Sequence, residues 1–172
     1  MIKQSAKHVF FYTEWPSNFF QTSFTYDYND EGDPKHFFCT EQAFMYCKAR
    51  FFNDISTANK ILHAQNPARA KHLGREVRNY VDSKWDKVRY EFMKQVNLER
   101  FRQDVALKTR LLNPEYDGKT FVEASPVDCI WGIGLGLDHP FLANENHWRG
   151  KNLLGKALTE VREIIKSEER TA

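Results

Sequence analysis

Long apolar runs are missing. No stretch approaches the roughly 18 consecutive apolar residues of a membrane-spanning helix. The opening Met1-Ile2-Lys3-Gln4-Ser5 does not lead into the apolar segment of a signal peptide. The expectation is a cytoplasmic protein with no membrane partner. Cysteine is scarce: Cys39, Cys47 and Cys129 are odd in number and form no C-x-x-C, which argues against a disulfide framework and a zinc site. Cys47 reads as a small buried hydrophobe in a helix. The histidines show no H-E-x-x-H spacing, so no metal is expected, and no cofactor motif survives inspection. No local signature of a Ser or Cys nucleophile is present. The net charge is only +2; a strongly electrostatic nucleic-acid binder is not indicated, although a local basic patch is compatible with it. Repeats, low-complexity runs and linkers are absent, and 172 residues fit a single domain over 1–172 with a core at about residues 9–165.

What is abundant is aromatic: 15% of the chain, with 14 Phe, material either for a core or for a pocket that stacks on flat rings. Val9 to Phe24 reads as short strands and loops broken at Pro16. The polar stretch Tyr26 to Lys35, with Gly32 and Pro34, reads as a hairpin connection. Thr40 is the expected N-cap of a helix over Glu41–Phe52. A short helix follows over Asp54–His63, then one capped by Asn66 with Pro67 at its first position. A long helix is expected from Asp82 or Ser83 to about Leu112, with Val88, Phe92, Val96, Phe101 and Val105 on its apolar side, stopped by Asn113-Pro114. Thr120–Ala124 reads as a strand and Pro126–Gly136 as a Gly-rich loop. Asn152 is the expected cap of a last helix with Leu154, Leu158, Val161 and Ile165 on one face, frayed after Ser167. The fold class is α+β, mainly helical with a few short strands.

Four constellations carry chemistry. On the first helix, Glu41 and Lys48 lie two turns apart on one face, roughly 10 Å along the axis. They either bracket a substrate or are unrelated surface charges. Trp85 and Arg89 are an i, i+4 pair that either holds a flat base or phosphate, or is a core ring covered by its neighbour. Glu123-Ala124-Ser125-Pro126-Val127-Asp128, with Trp131-Gly132-Ile133-Gly134, places carboxylates and an indole on irregular backbone. Its glycines do not make a dinucleotide fingerprint, because Leu137 stands where the third glycine would fall. Last, Arg149, Lys151 and Asn152 enter a helix whose free N–H groups offer a phosphate seat or an ordinary basic cap.

Taken in order, these elements resemble the NADAR (YbiA-like) family of N-glycosidases. Trp15-Pro16-Ser17-Asn18-Phe19-Phe20 resembles its opening segment, and Thr40-Glu41-Gln42-Ala43-Phe44-Met45-Tyr46-Cys47-Lys48-Ala49 its helix pattern. Gly74-Arg75 and Trp85 resemble its middle blocks. The block E-x-S-P-x-D-x-x-W-G-x-G at Glu123–Gly134 is the most specific, and Arg149-Gly150-Lys151-Asn152-Leu153-Leu154-Gly155 resembles the terminal motif. The resemblance implies a YbiA-like fold and hydrolysis of a bond between ribose and a nitrogen base. Its substrates would be phosphorylated ribosylamino-pyrimidines of riboflavin synthesis or ADP-ribose on guanine in nucleic acid. Glu41, Lys48 and Asp128 are then the expected catalytic groups. Asn18, Trp85, Arg89, Glu123, Trp131, Gly132, Arg149, Lys151 and Asn152 are the expected substrate contacts. Lys48 either attacks the sugar carbon to form a Schiff base or pairs with a substrate phosphate or with Glu41. The rival function is a module that binds ADP-ribose or a nucleotide without cutting it.

Overall fold

The computed structural model describes residues 1–172. The chain divides into two compact units, one made of residues 1–17 and 105–172 and the other of residues 18–104.

In the first unit β1 (Lys3–Gln4) pairs antiparallel with β2 (His8–Phe11), which pairs parallel with β5 (Thr120–Glu123) in the register Val9↔Phe121 and Phe10↔Val122. All four residues of β2 are buried, the non-alternating pattern of a strand covered on both faces. One cluster gathers Phe10, Val122, Ala124, Ile133, Leu135 and Leu142. Helix α6 (Leu153–Thr171) packs on β5 and buries Leu154, Leu158, Val161 and Ile165, the face expected from their spacing. The helix extends past Ser167, where fraying is expected, to Thr171, with a Lys108–Glu169 pair at 2.9 Å and the Thr171 hydroxyl donating to the Ser167 carbonyl at 3.3 Å.

In the second unit β3 (Phe24–Tyr26) and β4 (Lys35–Phe37) form the expected hairpin. Helices α1 (Thr40–Phe51), α2 (Ile55–Leu62), α3 (Pro67–Arg75) and α4 (Asp82–Gln103) follow. α1 is central, packing on α2, α3 and α4. Gly74 lets α3 come close, because a Cβ there would run into the Met45 side chain. Asn66 caps α3 through Arg69 N–H, with Pro67 in the first turn, as its sequence dictates. Cys47 is fully buried. No helix is long and apolar enough to cross a membrane.

Two expectations about the ends of α1 and α4 need correction. The N-cap of α1 is Cys39, not Thr40: its buried sulfur accepts from Gln42 N–H at 3.4 Å, and burial pushes the thiol up to about 12, so it stays protonated. The helix expected to reach Leu112 breaks at Asp104 (φ −98°, ψ 102°) and resumes as α5 (Val105–Leu111). Asp104 has a partner outside the helix, the Thr22 hydroxyl at 2.6 Å, and short carboxylates readily trade helical geometry for such bonds. Val105, expected on the apolar side, is 68% exposed.

Asp54 is the stability hinge of the second unit. Its buried carboxylate accepts from Thr57 N–H at 3.1 Å, the Thr57 hydroxyl at 2.7 Å and Arg78 N–H at 2.9 Å. Burial acts to raise its pKa, but these bonds and the Arg78 guanidinium outweigh burial and hold it well below the ordinary carboxylate value. A depressed folded-state pKa means stability that is present above the unfolded value and lost as pH falls through the folded one. We expect Asp54→Ala to cost about 2 kcal/mol and lower Tm by roughly 4–8 °C at neutral pH. The deficit should shrink in acid thermal melts; an equal deficit at acid and neutral pH would contradict this account.

Candidate active site

Glu41 and Lys48 both belong to α1 in the second unit. Glu41 is 8% exposed. Its N–H donates to the Asn18 carbonyl at 3.0 Å, so the opening segment is tied directly to the first turn of α1. The Asn18 side chain is also buried. Its amide nitrogen faces Met93 Sδ at 3.4 Å, while its Oδ1 has no hydrogen-bond partner. A buried acceptor left unpaired costs about 1–3 kcal/mol and calls for a donor.

Lys48 is half-buried, its Nζ 4.6 Å from the centre of the Tyr80 ring. Its pKa is lowered from the ordinary 10.5, first by burial; Glu41 works against the shift, and Arg75 on α3 adds to it. Burial and a neighbouring cation both favour the neutral amine. The residues between the pair, Phe44 and Met45, pack against α4 and α3. Phe44 packs on Trp85 with ring centres 5.3 Å apart, and Met45 meets Gly74.

Trp85 is core. It is 5% exposed and packs among Phe44, Phe51, Phe52 and Phe92, stacking on the last with centres 5.9 Å apart. Its expected role as a platform for a substrate ring is corrected accordingly, since its faces are covered by other rings. Arg89 pairs with Asp86 at 2.8 Å one turn away.

In the first unit the Glu123–Gly134 loop is built by its own side chains. Asp128 Oδ1 accepts from Ile130 N–H at 2.9 Å and Trp131 N–H at 2.8 Å, and Asp128 N–H donates to the Ser125 hydroxyl at 3.1 Å. Asp128 therefore shapes the loop that presents Trp131, whose side chain is partly exposed. Glu123 is partly buried, its carbonyl accepting from Ile133 N–H at 3.0 Å. Gly132 has a packing reason: a Cβ there would lie 2.9 Å from the Glu123 carbonyl oxygen and 3.0 Å from that of Asp128.

The start of α6 reads from sequence as a phosphate seat or an ordinary basic cap. Leu153 and Leu154 N–H donate to the Ile130 and Trp131 carbonyls, and Lys151 and Asn152 N–H to those of Cys129 and Gly132, so these four donors are taken, which favours the ordinary cap. The Asn152 side chain, however, does not cap the helix. Asn152 adopts a left-handed conformation (φ 53°) with no side-chain cap bond. Its amide instead bridges β5, accepting from Glu123 N–H at 3.0 Å and donating to the Phe121 carbonyl at 2.9 Å. Arg149 and Lys151 remain as exposed cations.

Sequence reasoning missed Arg75 as a site residue, together with Tyr80, Asn97 and Arg100. The last two lie fully buried on α4. Asn97 donates to the Met93 carbonyl at 3.0 Å and leaves its Oδ1 unpaired, and Arg100 donates to the Thr40 hydroxyl at 3.3 Å beside Glu41. The available signal was polar residues on the apolar side of α4, among Phe92, Met93, Val96 and Phe101. Nothing in the spacing pointed to Arg75 or Tyr80.

The NADAR domain family model matches residues 4–166. The chain is 39% identical over 161 residues to an N-glycosidase of Acanthamoeba polyphaga mimivirus, covering 93% of this chain and 89% of that one. It is 32% identical over 128 residues to a riboflavin biosynthesis protein of Vibrio vulnificus (strain YJ016), covering 74% of this chain but 31% of that longer protein. The NMR structure of the Escherichia coli protein YbiA matches with a TM-score of 0.73 at 24% identity, covering 99% of this chain and 91% of that one. This chain belongs to the NADAR domain family, with the mainly helical, YbiA-like α+β fold expected from its sequence.

Proposed function

We propose that the protein is a hydrolase that cleaves an N-glycosidic bond between a nitrogen base and a ribose phosphate or ADP-ribose. The observation that carries this is the α1 pair: a buried carboxylate, and a lysine whose ammonium form is disfavoured by burial and by Arg75. A module that only binds a nucleotide has little use for a lysine of depressed basicity. The names of the relatives agree, one an N-glycosidase and one a riboflavin biosynthesis protein.

In this reading Lys48 Nζ, as the neutral amine, adds to the anomeric carbon. The bond from that carbon to the base breaks, its electron pair leaving with the base, which takes up a proton. Glu41 stabilises the positive charge that develops on the sugar carbon. It also receives the proton shed by Nζ and returns it to the ring oxygen as the ribose opens to an imine. Water then hydrolyses the imine, freeing the sugar and the amine. Asn18 Oδ1, an acceptor in want of a donor, takes a ribose hydroxyl. In the first unit, Asp128 fixes the loop that carries Trp131.

The substrates to test are a phosphorylated ribosylamino-pyrimidine and ADP-ribosylated guanine, free and within an oligonucleotide. Chromatography should show release of free base from one of them in the presence of catalytic amounts of protein. Binding of these compounds with no base released from any would replace the enzyme with a nucleotide-binding module.

A further inference from the structure

The chain has nearly balanced charge, yet residues 55–75 contain Lys60, Arg69, Lys71 and Arg75, two histidines and no carboxylate. This stretch is α2, α3 and the turn between them. Lys60, His63 and Arg69 line a groove of about 460 Å³ there, with the Gln65 and Asn66 amides and the buried Leu73. All three basic residues are exposed. Nearby, His72 pairs with Glu76 and Arg78 with Asp54, whereas Lys60 and Arg69, like Lys71 and Arg75, have no acidic partner. His63 Nδ1 is committed to the Asn59 carbonyl at 2.8 Å, which leaves Nε2 available.

We propose that this groove is a phosphate-binding site separate from Glu41 and Lys48. The helix terminus is not what makes it one: Pro67 has no N–H, and that of Arg69 is taken by Asn66 Oδ1 at 2.8 Å. The side chains carry it. An arginine fork, an ammonium, an imidazole and two amides, with no carboxylate among them, suit a group rich in acceptor oxygens and carrying negative charge. Lys71, turned about 200° around α3 from Arg69, lies on another face of the helix and does not line the groove. The charged oxygens of a phosphodiester strand suit the same side chains as a compact phosphate does. A compact phosphate and a strand share the chemistry and are separated by experiment.

Binding is to be measured on the whole chain with inorganic pyrophosphate by calorimetry and with a short labelled oligothymidylate by anisotropy across a salt series. The proposal predicts binding of at least one probe by the wild type. In Lys60→Glu/Arg69→Glu the affinity should fall at least about tenfold, and the salt dependence should weaken by about two charges. The exposed pair Lys84→Glu/Lys87→Glu on α4 serves as the control for general charge and should bind within about twofold of wild type. Equal affinity for the two probes assigns the groove to a compact phosphate; tighter, more salt-sensitive oligonucleotide binding assigns it to a strand. No binding of either probe at low salt, or an equal loss in the control pair, overturns the proposal. The probes carry no scissile base linked to ADP-ribose, so the outcome does not depend on turnover, and Glu41→Gln should bind them as wild type does.

Discussion

Lys48→Arg is expected to lose turnover by about a thousandfold or more, equivalent to about 4 kcal/mol of transition-state stabilisation, while the fold persists. Arginine keeps the positive charge and can lie over Tyr80 as lysine does, but a guanidinium does not become a nucleophile near neutral pH. In the wild type, borohydride added during turnover should trap a ribosyl adduct on Lys48, visible by mass spectrometry. The pH profile supplies a third reading. Nucleophilic attack requires the neutral amine, so kcat/KM should rise with pH along a limb centred below the ordinary lysine value of 10.5, because burial and Arg75 lower it. If Lys48 instead holds a phosphate, the Arg variant should recover much of the activity, no adduct should form, and KM should move more than kcat. That pattern would leave direct attack by water as the mechanism.

The local rules of the chain predict much of this arrangement. Glu41 and Lys48 fall on one helix by spacing alone, and Asn66-Pro67 marks the start of α3 because its side chain and ring act within a few residues. The failures share a different cause. Asp104 breaks α4 while bonded to Thr22, and Asn152 leaves the capping role to brace β5; both partners are distant in sequence. Trp85 next to Arg89 reads equally well as a platform or as core until the rings from α1 are known to cover it. At α6 the choice between a phosphate seat and an ordinary cap turns on whether a loop returns to the N–H groups of the helix start, and here the Cys129–Gly132 carbonyls do. The basic groove was not legible, since net charge averages it away.

Glu41→Gln tests the other half of the pair, and its signature is a direction as well as a size. The amide keeps the volume of the buried side chain and removes its charge, so loss of stability should be confined to roughly 0.3–1 kcal/mol from the carboxylate's place in the first turn of α1. Turnover should fall by about a hundred- to a thousandfold, the scale of a group that stabilises charge in a transition state. The same substitution acts on Lys48. Glu41 favours the ammonium and so opposes the downward shift; with its charge gone, Lys48 should deprotonate at lower pH, and the ascending limb of the residual activity should move toward acid. Arg75→Ala should do the reverse. Removing that cation relieves the pressure on the ammonium, so the limb should move toward alkali. Opposite displacements from two substitutions on different helices are not what general loosening of the fold would give. A limb unmoved in both variants, measured over the range where each remains folded, would show that Lys48 is not the group whose ionisation governs the reaction.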